Sequence, residues 1–321
     1  MHPAMGCLAV AGLFLLQITS SWAGIRPTGI SRPIAPTFER PTIYFPSDFG
    51  YALDHPVRPF SHGEGLTSAS CKCGRTHTHR IVGGSRAKSG EWCWQAKVMV
   101  WSKDDDGSFF LCGGSIINDE YILSAAHCFH GHEGSKVDIY LGAYKLFGDV
   151  EGTKYNVDFI KLHADYDDKT KANDIALVKL TRKIKFTDRV CSVCLPATEK
   201  NYTGEICTIT GWGALKSGGD SPVALMEAQV KVISHEKCQK QYGYLDPSQI
   251  CAAAPGVDSC QGDSGGPMVH QGKNGIWDLV GIVSAGKGCA DPDFAGLYTN
   301  VYEFLPWIRK NTEDSESCSR Y

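Results

Sequence analysis

The chain has 321 residues, of which 42% are apolar, 21% charged and 10% aromatic. This composition supports a sizeable core and excludes a globally disordered chain. A net charge of −3 argues against the basic face that nucleic-acid binding needs, so no nucleic-acid partner is expected.

The first element is an apolar run from Leu8 to Ile18, followed by Thr19-Ser20-Ser21-Trp22-Ala23-Gly24. A bilayer span takes about 20 residues, and this run is too short. It fits the core of a signal peptide over residues 1–23, with small residues Ser21 and Ala23 at the peptidase site, although no Lys or Arg precedes it. Fourteen cysteines agree with that reading, since a reducing cytosol rarely tolerates so many without metal. The expected location is extracellular, as a secreted protein, and no later segment is expected to enter a membrane.

Residues 24–80 differ in texture. They hold seven of the fifteen prolines, several in Xaa-Pro pairs that favour extended backbone and break helices. With only Cys71 and Cys73 to staple it, this stretch reads as a largely unstructured Pro-rich arm. It carries a net charge of +3 against −6 for residues 81–321, so the two parts attract.

From Ile81 the pattern changes to short β-rich runs separated by Gly, Asn and Asp. They include Lys97–Trp101, Phe109–Ile117, Tyr121–Ala125, Val137–Leu141, Tyr155–Leu162, Ile175–Leu180, Leu225–Ile233 and Ile276–Ala285. Many short strands at this spacing predict a sandwich or barrel. A helix is expected over Glu303–Asn311, where Pro306 is tolerated in the first turn.

Three local sequences answer one chemical need. Leu123-Ser124-Ala125-Ala126-His127-Cys128 offers an imidazole, Asn173-Asp174-Ile175 a carboxylate entering an apolar strand, and Gly262-Asp263-Ser264-Gly265-Gly266-Pro267 a hydroxyl in a glycine-rich loop. A serine hydroxyl attacks a carbonyl only when a base removes its proton. The imidazole in turn needs a carboxylate to hold its tautomer and stabilise its charged form. With Ile81-Val82-Gly83-Gly84, Cys112-Gly113-Gly114-Ser115, Thr210-Gly211-Trp212-Gly213 and Gly296-Leu297-Tyr298 in order, residues 81–311 resemble a trypsin-like serine protease of the chymotrypsin family.

The resemblance implies an all-β fold: two antiparallel six-stranded β-barrels with a C-terminal helix. The domain spans residues 81–321 behind the arm. His127 becomes the general base, Asp174 its orienter and Ser264 the nucleophile, with the N–H groups of Gly262 and Ser264 as the oxyanion hole. Asp258 forms the floor of the primary pocket, Ser259 stands beside it, and Ser284, Gly286 and Gly296 form its walls, which implies cleavage after Arg or Lys. Arg80 precedes an activation junction, and the freed amine of Ile81 pairs with Asp263. Ala285 stands where the family has tryptophan, which weakens apolar selection upstream of the cut. Lys171 reads as a subsite residue favouring an acidic substrate side chain or as an exposed loop lysine. Ala143 replaces a calcium-binding glutamate, so neither cofactor nor metal is expected.

By the same resemblance Cys112 pairs with Cys128, Cys238 with Cys251 and Cys260 with Cys289, and Cys71 or Cys73 reaches Cys194. Cys207 lacks its usual partner because His270 occupies that position, so it reads as a free thiol. Cys93, Cys191 and Cys318 have no obvious family counterpart and their pairing stays open, with Cys93–Cys191 and the second arm cysteine to Cys318 as the arrangement expected. Cys71-Lys72-Cys73 with His77-Thr78-His79 is spaced too tightly for an ordinary zinc site. Asn201-Tyr202-Thr203 is the single glycosylation sequon. The partners implied are protein or peptide substrates, an activating trypsin-like protease or the enzyme itself, and a protein protease inhibitor. Two other readings are a catalytically silent homologue that binds, and an enzyme whose arm is a docking tether.

Overall fold

The computed structural model describes residues 71–76, 85–103, 107–148, 152–214, 219–253, 263–286 and 294–321. The leader, most of the arm, Arg80, Ile81, Asp258, Ser259, Cys260, Gly262 and Cys289 lie outside them. The chain begins with β1 (Lys72–Cys73) and β2 (Ser85–Arg86), then enters β3 (Gln95–Trp101), β4 (Phe109–Ile116), β5 (Tyr121–Ser124), β6 (Val137–Leu141), β7 (Thr153–Leu162) and β8 (Ala176–Leu180). These last six close into an antiparallel barrel in the order β3-β4-β5-β8-β7-β6, sealed where Ala96 pairs with Leu141. Apolar side chains form the core on and around it, among them Val98, Ile122, Leu123, Ile139 and Leu177, and β5 is buried along its whole length.

A second barrel follows from β9 (Ile206–Gly211), β10 (Met226–Val232), β11 (Gln249–Ala253), β12 (Pro267–Gln271), β13 (Trp277–Ala285) and β14 (Gly296–Asn300). Its ring runs β11-β14-β13-β12-β9-β10 and closes through the β10–β11 pair, with β2 added at the outer side of β10. Two six-stranded antiparallel barrels are thus the architecture. Between β10 and β11 lies α1 (His235–Tyr242), which the apolar pattern does not announce because Cys238 is its one buried residue. Its ends are marked by Ser234, whose hydroxyl accepts from the Lys237 N–H, and by Gly243 at φ +81°. The expected terminal helix divides into a 3₁₀ turn over Val301–Phe304 and α2 (Leu305–Lys310), with Pro306 in the first turn. Among the described residues no helix is long and apolar enough to cross a membrane.

The two barrels meet along a seam rich in large rings and buried polar pairs. Trp277 at the head of β13 packs edge-on against Trp92 at 5.0 Å and lies 6.2 Å from Trp94. Nearby, the Thr210 hydroxyl donates to the Gln95 side-chain oxygen at 2.6 Å, both residues being buried. The arm ends on this body: β1 pairs in parallel with β15 (Ser319–Arg320) at the extreme C-terminus. Residues 71–76, at the end of the stretch expected to be a largely unstructured arm, are therefore part of the fold.

Disulfides join Cys71 to Cys318, Cys73 to Cys194, Cys93 to Cys191, Cys112 to Cys128, and Cys238 to Cys251. Among the described residues Cys207 is the free, buried thiol.

Candidate active site

His127 lies in a 3₁₀ turn, Ala126–Cys128, just after β5. Its position is pinned on the C-terminal side, because Cys128 is bonded to Cys112 of β4. Asp174 enters just ahead of β8, following Asn173 at φ +55°, a left-handed conformation that asparagine tolerates better than most residues. Asn173 is held in place by the Ser248 hydroxyl, which accepts its N–H at 3.0 Å, and by its own amide donating to the Asp165 carbonyl at 2.9 Å.

The two side chains meet closely. Asp174 Oδ2 lies 2.7 Å from His127 Nδ1, and Asp174 Oδ1 accepts the His127 backbone N–H at 2.9 Å. A carboxylate opposite Nδ1 places the ring proton there and leaves the Nε2 lone pair facing outward. The second barrel completes the grip: the Ser284 hydroxyl donates to Asp174 Oδ2 at 2.5 Å and the Thr299 hydroxyl to the Asp174 carbonyl at 2.6 Å. Asp174 is fully buried. Burial pushes its carboxyl up, but the side-chain bond and charge of His127, the Ser284 hydroxyl and the His127 N–H outweigh that and hold it below the ordinary range.

Ser264 occupies the turn that leads into β12. The next residue, Gly265, has φ +77°, and a Cβ there would come within 2.3 Å of the Ser124 hydroxyl oxygen; only glycine fits. Ser264 is bracketed by the two barrels: its carbonyl accepts from the Gly113 N–H at 2.7 Å, and the Gly265 N–H donates to the Val283 carbonyl at 2.8 Å. The Cys128 sulfur lies 4.0 Å from His127 Nε2 and 3.7 Å from the Ser264 carbonyl oxygen, so imidazole and serine share one neighbour. Both sulfurs near His127 are consumed in the Cys112–Cys128 bond, and the cluster Cys112, His127 and Cys128 therefore offers no thiolate to a metal.

Asp263 turns away from this cleft. Its Oδ1 accepts the Gly213 N–H at 2.7 Å, and a Cβ on Gly213 would fall 2.3 Å from Oδ2. Gly213 is thus needed for close approach to a carboxylate. On the opposite flank, Ala285 pairs with Leu297, which sets the ends of β13 and β14 side by side at Gly286 and Gly296. Ser284 belongs to this wall through its backbone, yet its hydroxyl serves Asp174, a role the sequence reading did not assign.

Lys171 takes a third course. Its ammonium lies 2.6 Å from Asp168 and 3.2 Å from the Tyr166 hydroxyl. Lys171 first and Tyr166 second hold the Asp168 carboxyl down at about 2. The lysine charge is already matched within its own loop, which speaks against its selecting an acidic substrate residue. Asn201 is exposed, with its side-chain oxygen accepting the Thr203 N–H at 2.9 Å.

A buried carboxylate bonded to a half-buried imidazole beside a serine, in the cleft between two six-stranded barrels, is an arrangement suited to acyl transfer. Residues 81–308 match the family described as Trypsin, and the chain belongs to the trypsin family of serine proteases. Among curated proteins it is similar to "Serine protease filzig" of Drosophila melanogaster, with 38% identity over 261 residues. That match takes in 76% of this chain but only 15% of the fly protein, so the chain spans about 15% of that relative's length.

Proposed function

We propose that this protein is a secreted endopeptidase that cuts after Arg or Lys and is made as a zymogen. The observation that carries the reading is the buried Asp174 held on His127 Nδ1 at 2.7 Å. In this reading His127 Nε2 takes the proton of Ser264 as its oxygen attacks the scissile carbonyl. Asp174 stabilises the imidazolium so formed, which then passes its proton to the leaving amine. The N–H groups of Gly262 and Ser264 receive the oxyanion, each such donor contributing about 3 kcal/mol in the transition state. An acyl-enzyme on Ser264 remains, and water releases it by the same sequence in reverse.

Asp258 at the base of the pocket pairs with a guanidinium or ammonium, and Gly286 and Gly296 leave the entrance clear for that long side chain. Activation follows from cleavage between Arg80 and Ile81. The new α-ammonium of Ile81 joins Asp263, whose carboxylate is already seated on Gly213, and orders the loop that carries Ser264. Five disulfides among the described residues support an oxidising, extracellular setting. Asn201 carries a glycan, and a protein inhibitor and an activating protease are the expected partners.

The test is hydrolysis of an Arg-ending peptide anilide, with a Phe-ending control, before and after a verified cut at Arg80. Arg-selective turnover that appears only after the cut is the expected result. Verified cleavage with no turnover of either substrate would overturn the enzyme reading in favour of a silent binding homologue.

A further inference from the structure

We propose that an aromatic face formed by Trp101, Phe109, Phe147 and Val223 receives the part of a protein substrate that lies beyond the scissile bond, and that it selects apolar residues there. The proposal rests on the endopeptidase reading above and extends it to the leaving-group side. Strand β4 supplies the connection. Gly113, whose N–H holds the Ser264 carbonyl, presses so close to the serine loop that a Cβ would meet the Gly266 Cα at 2.7 Å. Side chains alternate along a strand, so Leu111 and Phe109 share the face of Gly113. One strand face thus runs from the serine loop to Phe109.

At its far end the apolar surface widens. Phe109 pairs with Trp101 across the β3–β4 ladder, with ring centroids 5.2 Å apart. Phe147, from the loop after β6, stands edge-on to Phe109 at 6.1 Å. The Leu146 N–H donates to the Val223 carbonyl at 2.9 Å, which sets the Val223 backbone beside the residue that precedes Phe147. Phe147 and Val223 are 63% and 69% exposed, the two most exposed large apolar side chains among the described residues. Apolar groups gathered next to a cleft mark a contact surface.

The side of the cleft follows from how Ser264 is bracketed. In the endopeptidase reading the acyl part of the substrate lies along β13 and β14, which end at Gly286 and Gly296, and the other wall beside Ser264 is β4 with the Cys112–Cys128 bond. A substrate with its acyl part along β13 leaves across β4. Four residues of strand, from Gly113 to Phe109, cover about 13 Å. An extended substrate advances about 3.4 Å per residue, so the third and fourth residues after the cut reach Phe109 and Phe147.

Two internally quenched peptides, identical except for Leu-Phe or Ser-Ser at the third and fourth positions after the scissile Arg, test this with the activated protein. The Leu-Phe peptide is expected to show about tenfold higher kcat/KM. In Phe147→Ser and in Val223→Ser the ratio between the two peptides should fall toward one. Equal rates in the native protein, or a ratio unchanged in both variants, would overturn the proposal. An anilide has no residues after its scissile bond: failure to cut it sinks the endopeptidase reading, whereas anilide turnover with equal peptide rates sinks this proposal alone.

Discussion

The Ser284 hydroxyl and His127 Nδ1 bond the same oxygen of Asp174, at 2.5 and 2.7 Å, although Ser284 belongs to one barrel and His127 to the other. The imidazole is therefore oriented from both sides of the seam, and neither barrel alone holds the pair.

Ser284→Ala removes one of the donors that keep the Asp174 carboxyl low against the upward push of burial. A carboxyl depressed in the folded state stabilises the fold above its unfolded value of about 3.9, and that contribution is lost as pH falls through the folded value. The variant should begin to lose stability at a higher pH than the native protein. Its kcat should drop by roughly 3- to 10-fold from the lost hydrogen bond. Melting temperatures between pH 2 and 6, with kcat alongside, decide the matter; an unmoved acid transition counts against the role given to Ser284.

Cleavage at Arg80 should leave the arm attached by two independent bridges. Cys71 holds the C-terminal Cys318, and Cys73 holds Cys194. The cut protein should run as one band on a non-reducing gel and as two when reduced. Cys73→Ser or Cys318→Ser alone should still retain the arm, and the double variant should release it. Release by either single variant would show that one bridge does not form.

Lys97 is a buried cation placed by the fold. Its ammonium donates to the Leu146 carbonyl at 2.8 Å and the Lys145 carbonyl at 3.3 Å, under the rings of Tyr140 at 4.9 Å and Trp212 at 5.9 Å. It thereby holds the loop that carries Phe147. Lys97→Met keeps the length and removes the charge, leaving inward-facing carbonyls without their donor. A loss of about 2–3 kcal/mol in denaturant unfolding is expected. Limited proteolysis should also cut residues 143–148 sooner; a variant as stable as the native chain contradicts this.

Burial pushes the Cys207 thiol up to about 12. It therefore stays protonated at pH 8 and should not react with a thiol reagent in the folded protein. In denaturant Cys207 should appear as one thiol per chain, counted after removal of the leader with its Cys7 and with Cys260 bonded to Cys289 as the resemblance implies. A rapid reaction in the native state would show that β9 and β12, which pair Thr208 with Val269, open readily.

Much of the fold was legible because Gly, Asn and Asp separate short β-rich runs, and six of the expected runs coincide with β3 to β8 to within a residue or two. Helix α1 was not, since only Cys238 faces inward and its amphipathic signal is weak. Ser264 and Gly265 could be read because a nucleophile in a tight turn needs glycine locally. Thr299 could not, because its hydroxyl reaches a backbone carbonyl 125 residues away and leaves no local pattern.

The sequence by itself determined the protease family and the residues around which the cleft is built. Their chemistry dictates neighbours within a few positions, as Gly265 follows Ser264 and Cys128 follows His127. Tertiary structure alone decided which arm cysteine meets Cys194. Cys71 and Cys73 are equivalent by spacing, and the choice comes from the parallel pairing of β1 with β15 and the turn at Gly74, whose N–H donates to the Ser192 carbonyl at 2.9 Å. It also gave Ser284 to Asp174 and Lys97 to the loop of Phe147. Each of these depends on where distant segments arrive in space, and long-range contacts of single polar side chains have no period in the chain to reveal them.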